Sequence, residues 1–350
     1  MITSVKQLQN QAAAEVSLGD WATAAIAKHT GKFRKYPAAV LADHDPEDLH
    51  QMRVGLRRLR AALRGFAPAL RLPKAASEQR VGKLARCLGE LRDLDVLGAA
   101  LRDRHLPELP PTEQSAARPA LQALQEQRRR AFKRVKRALT GKLYCQLESS
   151  FTAWLEQPQY QPLAQVPVEP VLPDLLLPDL SDLLLQPAWL VGTVQTADGI
   201  QVTTTSEAAV IDRLLNEQAE PLHSLRKTAK RVRYQMELFA PGYGEPYQRA
   251  VEQVKAIQTV LGEVQDSAVL GEFLVLALGA NWGDRLPTLA ARLQTTRQRK
   301  WQEWQALQRQ FLDPDTRHAL RATVLPQPPA PAVVEDAEPD PSADAPETES

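Results

Sequence analysis

The segment DLHQMRVGLRRLR at 48–60 returns 173 residues later as PLHSLRKTAKRVR at 221–233. A second segment, LGELRDLDVL at 88–97, returns as LGEVQDSAVL at 261–270, at the same offset. Two separated matches that share one offset are the mark of an internal duplication. The fold class this predicts is all-α: two similar four-helix bundles, built on helical hairpins and related by an approximate two-fold axis.

The text between the repeats agrees. Helical periodicity with few breakers runs over 5–27, 46–66, 75–105 and 113–157, and again over 207–239, 246–278 and 286–311. Prolines punctuate the gaps, at Pro37 and Pro46, at Pro68 and Pro73, and at Pro107, Pro110 and Pro111. Aromatic residues make up only 5% of the chain, which favours helices over a β-rich fold. The organisation expected is a first repeat over 1–157, a proline-rich linker over 158–206, a second repeat over 207–323 and a disordered tail over 324–350. Within the linker, VGTVQTADGIQVTTTS predicts one short hairpin about Asp198-Gly199.

The net charge of +1 conceals an uneven distribution. After Arg321 there is no basic residue and there are seven acidic ones, so the body carries 43 basic against 35 acidic residues, about +8. Cys87 and Cys145 stand far apart with no redox or metal-ligand spacing, and the first residues lack an export signal, which suits a reduced, cytoplasmic setting. The most apolar stretch, 171–191, is interrupted by three prolines and three aspartates, which excludes a membrane span there.

At about 100° per residue, the first repeated helix sorts into two stripes. His50, Arg53, Arg57, Arg60 and Arg64 share one side, while Leu49, Met52, Leu56, Leu59, Leu63 and Phe66 occupy the adjoining arc. In the second copy the polar stripe is His223, Arg226, Lys230, Arg233 and Tyr234, with Lys227 beside it, and the apolar one is Leu222, Leu225, Ala229, Val232, Met236 and Phe239. The apolar stripe supplies the core contact. The cationic stripe spans roughly 21 Å along the helix, and its helix carries few acids of its own. Such a row repels itself and calls for negative charge from elsewhere; guanidinium groups bind phosphate oxygens bidentately, so a linear polyanion is the complementary shape. Lys28, Lys32, Arg34 and Lys35, Lys133 and Lys136 with Arg129, and Arg292 with Arg299 are further candidates for the same surface, each as compatible with plain solubility.

The acids of the LGExxD segments, Glu90 with Asp93 and Glu263 with Asp266, are expected to hold the arginines of the facing helix. The six histidines show no metal-ligand spacing. No phosphate-cradling glycine loop, nucleophile elbow or HExxH motif is present, so neither catalysis nor a cofactor is expected.

The text H-x-x-R-V-x-x-R-R-L-R, repeated as H-x-x-R-x-x-x-K-R-V-R and followed in each copy by LGExxD, resembles the CHAD family, the conserved histidine α-helical domains. The resemblance covers about 1–156 and 207–322. It implies two four-helix bundles around a basic central groove or pore, binding of inorganic polyphosphate and association with polyphosphate granules. Carried over by position, it implies polyphosphate contacts from His50, Arg53, Arg57, Arg60, His223, Arg226, Lys230 and Arg233. Departures from the family pattern are Lys230 in place of an arginine, a long 158–206 segment, and no triphosphatase domain within these 350 residues. The function expected is non-catalytic polyphosphate binding that scaffolds or targets, with RNA, single-stranded DNA or an acidic protein as the alternative ligands.

Overall fold

The computed structural model describes residues 16–197 and 199–325. The start of the first expected helix, Asp198 of the hairpin turn, and nearly all of the acidic tail lie outside them.

The first half comprises α1 (Leu18–Arg34), α2 (Pro37–Ala42), α3 (Pro46–Gly65), α4 (Glu78–Ala99), α5 (Pro111–Leu139) and α6 (Lys142–Glu156). Its boundaries are chemical. Ser17 caps α1 by accepting from the Asp20 amide at 3.1 Å, and Asp45 caps α3 by accepting from the Glu47 amide at 2.8 Å, with Pro46 at the first helical position. The helix α4 continues as one π-helical turn, Ala100–His105. A single helix over 113–157 was the expectation; it breaks at Thr140-Gly141, where a Cβ at Gly141 would stand 2.6 Å from the Arg137 carbonyl oxygen.

Next come α7 (Val168–Leu184), the hairpin β1 (Thr193–Thr196) and β2 (Gly199–Val202), α8 (Ala208–Glu217), α9 (Ala219–Phe239), α10 (Glu245–Leu278), α11 (Trp282–Arg285), α12 (Pro287–Leu312) and α13 (Pro314–Ala322). The expected 207–239 helix is divided at Gln218, because the ring of Pro221 collides with the carbonyl four residues earlier in a continuous helix. The antiparallel hairpin forms where expected, Thr193 opposite Val202.

The segment expected to be a proline-rich linker contains the helix α7. The helix holds Pro173 and Pro178 in its interior, each of which opposes helix by about 3 kcal/mol. Against that, Leu172, Leu176, Leu180 and Leu183 lie at helical spacing and are at most 2% exposed, packed with α9 in the main core. Asp179 and Asp182 hold Arg231 of α9. Burial of four leucines outweighs the proline cost.

The offset of 173 carries 46–65 onto 219–238, the span of α9, and carries 111–139 onto 284–312, which contains α12. The helix α1 has no partner at that offset; α7 packs on α9 as α1 packs on α3. One continuous core runs through both halves, and α3 crosses α9 within it. The Phe66 and Phe239 rings meet edge-on at 5.2 Å, and Gln235 donates to the Ala61 carbonyl at 3.2 Å. Gly65 permits the crossing, since a Cβ there would fall 2.6 Å from Gln235 Oε1. A second, smaller core joins the far ends of α4 and α5 to those of α10 and α12, around Leu101, Leu109, Leu124, Phe273, Leu286 and Leu289. Here Glu113 is 5% exposed and accepts from the amides of Thr288 and Leu289, at 3.1 and 3.3 Å, capping the start of α12 from the other half. The α3–α9 crossing and the Glu113 contact thus both join the halves.

Candidate functional site

The crossing of α3 and α9 decides where the cationic stripes go. Arg57 of α3 lies over the Tyr234 ring of α9, its guanidinium carbon 4.4 Å from the centroid, and Arg233 approaches the same ring at 4.4 Å. Lys230 feels burial first, then the charges of Arg57, Arg226 and Arg53, which together push its ammonium down to about 8. Cations of both halves therefore share one site.

Each stripe also rests on a glycine of the facing helix. A Cβ on Gly89 of α4 would lie 2.5 Å from Arg53 Nη1, and one on Gly82 would lie 3.3 Å from Arg60 Cζ. On α10, a Cβ on Gly262 would lie 3.5 Å from Arg226 Nε. Gly89 and Gly262 are the glycines of the two LGExxD segments, so the two repeated motifs meet in each half. The glycine opens the space that the arginine fills.

The expected role of the acids needs correction. Glu90 accepts from Arg134 of α5 at 2.9 Å, and Glu263 binds Lys300 of α12 at 3.1 Å; neither holds a stripe arginine. The aspartates do face the stripes. Asp93 stands 4.0 Å from Arg53 Nη2. Asp266, ringed by protein though accessible to water, has its carboxyl pushed up by burial, against the pull of Arg226 and Arg104.

The stripe residues divide into held and free. Arg60 is held by Glu78, with Nη2–Oε1 at 2.6 Å. Arg233 is held on all sides, by Gln258 at 2.8 Å, Glu237 at 2.5 Å and the Tyr234 hydroxyl at 2.6 Å. Arg53 donates to the Ala85 carbonyl at 3.3 Å and reaches Asp93 only at the limit of ion pairing. Arg57, Arg226 and Lys230 make no ion pair among the described residues, and the Nε atoms of both arginines are buried without a hydrogen-bond partner. Unpaired buried donors are rare because each costs about 1–3 kcal/mol. Two such guanidinium groups, with the unpaired Lys230 beside them, constitute an unmet demand for anionic oxygen.

His50 sits at the head of its stripe, held below the usual imidazole value by burial and then by Arg92. His223 Nδ1 donates to Gln265 Oε1 at 3.2 Å. Arg64 is exposed at the end of its stripe, and Lys227 is exposed beside Arg226. Of the second-rank candidates, Lys28 lines a separate cavity beside Tyr234, Lys133 and Lys136 are exposed on α5, Arg292 pairs with Glu108 at 3.5 Å, and Arg299 pairs with Glu303 at 3.2 Å. Sequence reasoning missed Arg92 and Arg104, whose charges act on His50 and Asp266, and the two glycines. The repetition of Gly89 and Gly262 at the common offset was the available signal. Among the described residues no group of three or more His, Cys, Asp or Glu side chains is disposed to hold a metal, and no helix is long and apolar enough to cross a membrane.

Comparison with known proteins adds the following. A family model described as CHAD domain matches residues 24–275. The fold is similar to a crystal structure of the CHAD domain from the plant Ricinus communis, with 24% sequence identity, a TM-score of 0.52, and coverage of 89% of this chain and 92% of that one. It is also similar to PptA from Streptomyces chartreusis, with 17% identity, a TM-score of 0.51, and coverage of 82% and 99%. No curated protein matches the chain significantly.

Proposed function

The chain belongs to the CHAD domain family, and from that premise we propose that it binds inorganic polyphosphate without chemical turnover, in a basic groove or pore between two repeats related by an approximate two-fold axis. One observation carries the proposal: Arg57 from one repeat and Arg226 and Lys230 from the other lie in one site with no carboxylate at ion-pairing distance among the described residues. Polyphosphate supplies a charged oxygen cluster at every repeat, which fits a row of closely spaced cations better than isolated anions do. Arg57, Arg226 and Lys230 form the centre of the ligand contact, with Arg53 beside them. His50, His223, Arg64 and Lys227 extend it along the stripes. Arg60 and Arg233 serve as supports, holding α4 and Tyr234 in place. Tyr234 is already occupied by two guanidinium groups and is not free to stack a base, which favours polyphosphate over RNA or single-stranded DNA. The protein's work is then to scaffold or target in the cytoplasm, at polyphosphate granules.

The test is a titration of end-labelled polyphosphate by fluorescence anisotropy at several salt concentrations, on the full chain and on Arg57→Ala/Arg226→Ala. Affinity should fall steeply with salt, and the double variant should bind far more weakly with a shallower slope. Incubation with polyphosphate and Mg²⁺ should release no phosphate. Competition in which RNA displaces polyphosphate at equal phosphate concentration would overturn the assignment.

A further inference from the structure

Tyr234 also borders a second cavity, of about 270 Å³, enclosed by α1, α3 and the C-terminal end of α9. Its inner wall is apolar: Trp21 and Ala25 from α1, Ala61 from α3, Leu238 from α9 and Pro241 beyond it. Lys28, Arg58, His29, Tyr234, Ala240 and one carboxylate, Glu237, complete it. Lys28 is exposed. The Arg58 side chain is 45% exposed, and its nearest carboxylate, Glu237, is 3.8 Å away and already engaged with Arg233 at 2.5 Å. His29 is 7% exposed and its Nδ1 has no hydrogen-bond partner among the described residues. Burial, reinforced by Lys28, Arg58 and Lys32, pushes this imidazole down to about 3. It is therefore neutral at physiological pH and offers one donor and one acceptor rather than a charge.

The chemistry of the cavity differs from that of the groove. A chain of phosphates would leave the indole and aliphatic wall in contact with charged oxygen, and a hydrocarbon would bury His29 while leaving Lys28 and Arg58 idle. The complementary ligand has a flat, partly apolar body with hydrogen-bonding edges and an anionic end. The volume lies just below the range for small-molecule sites, roughly 300–1,000 Å³, which suits a base and sugar with the phosphates outside at the mouth. We propose that this cavity binds a nucleoside phosphate, its base against Trp21 and Ala25 beside His29 and its phosphates on Lys28 and Arg58. Because the ring of Tyr234 borders the cavity and also carries Arg57, any effect of one ligand on the affinity of the other is reciprocal.

The experiment is isothermal titration of the full chain with adenosine diphosphate, with adenosine and inorganic pyrophosphate as separate arms. One molecule of adenosine diphosphate should bind per chain, adenosine more weakly, and pyrophosphate should not displace the nucleotide. Arg58→Glu should weaken nucleotide binding at least tenfold and His29→Phe several-fold, while Arg226→Ala should leave it unchanged. Lys28→Glu, at an exposed position that does not threaten folding, should reproduce the loss seen with Arg58→Glu. Absence of binding at millimolar nucleotide would overturn the proposal. So would loss on Arg226→Ala with retention in Arg58→Glu and Lys28→Glu, since the nucleotide would then be one more anion in the groove. Failure of polyphosphate to bind the groove, with nucleotide binding intact, would leave this proposal standing and remove only the other.

Discussion

Lys230 offers the sharpest test of the groove. In the unbound protein burial and then Arg57, Arg226 and Arg53 lower its pKa from 10.5 to about 8. A bound polyanion reverses the charge environment and raises the value again, so binding takes up a proton wherever the free lysine has lost one. Affinity should be nearly flat below pH 8 and fall as pH rises through 8. If the bound state restores 10.5, the loss between pH 7 and pH 9.5 is about 30-fold, or roughly 2 kcal/mol. The same shift acts on folding with the opposite dependence. The folded state loses this proton before the unfolded chain does, so the lysine's contribution to stability improves between pH 8 and 10.5. The assay is anisotropy of end-labelled polyphosphate from pH 6.5 to 10 at constant ionic strength, beside a Lys230→Arg variant whose guanidinium does not titrate in that range. Tyr234 does not interfere, because burial pushes its hydroxyl above the usual value. A flat profile to pH 9.5 in the parent protein, or an unchanged slope in Lys230→Arg, would refute the shared-groove argument.

Arg226→Ala should reduce the slope of log affinity against log salt by about 0.7–1, the loss of one phosphate contact. Arg60→Ala, whose side chain is held by Glu78, should leave that slope alone and cost at most about 1 kcal/mol of stability; both are read by salt titration and urea unfolding. Gly89→Ala places a methyl 2.5 Å from the mobile end of Arg53, so polyphosphate affinity should drop several-fold at nearly unchanged melting temperature. Gly262→Ala, with 3.5 Å to Arg226, should change neither, and equal effects of the two would contradict the packing described. Glu113→Ala removes both acceptors from the start of α12 and should cost about 2 kcal/mol in thermal or urea unfolding, whereas Glu113→Gln, which keeps one acceptor, should lose less.

How much of this was legible beforehand follows from the range of each interaction. The helices α3 and α9 and their two stripes are properties of residues three to seven apart, and a periodic pattern records them; their shared offset from the LGExxD segments is read by setting the two copies side by side. The helix α7 was hidden because proline propensity is local, whereas the burial of Leu172, Leu176, Leu180 and Leu183 that overrides it depends on α9. The division of the stripes into held and free cations was equally invisible. Glu78 lies 18 residues from Arg60, and Gln258 lies 25 residues from Arg233, so nothing in the helical pattern marks them as partners. Sequence alone settled which side chains form each cationic row. Only the crossing of α3 over α9, permitted by Gly65 and closed by Gln235 and Phe239, decided that Arg57 meets Tyr234 and that Arg226 and Lys230 have no carboxylate at ion-pairing distance among the described residues. Charge is written residue by residue, but its neutralisation depends on distances that the packed chain alone sets.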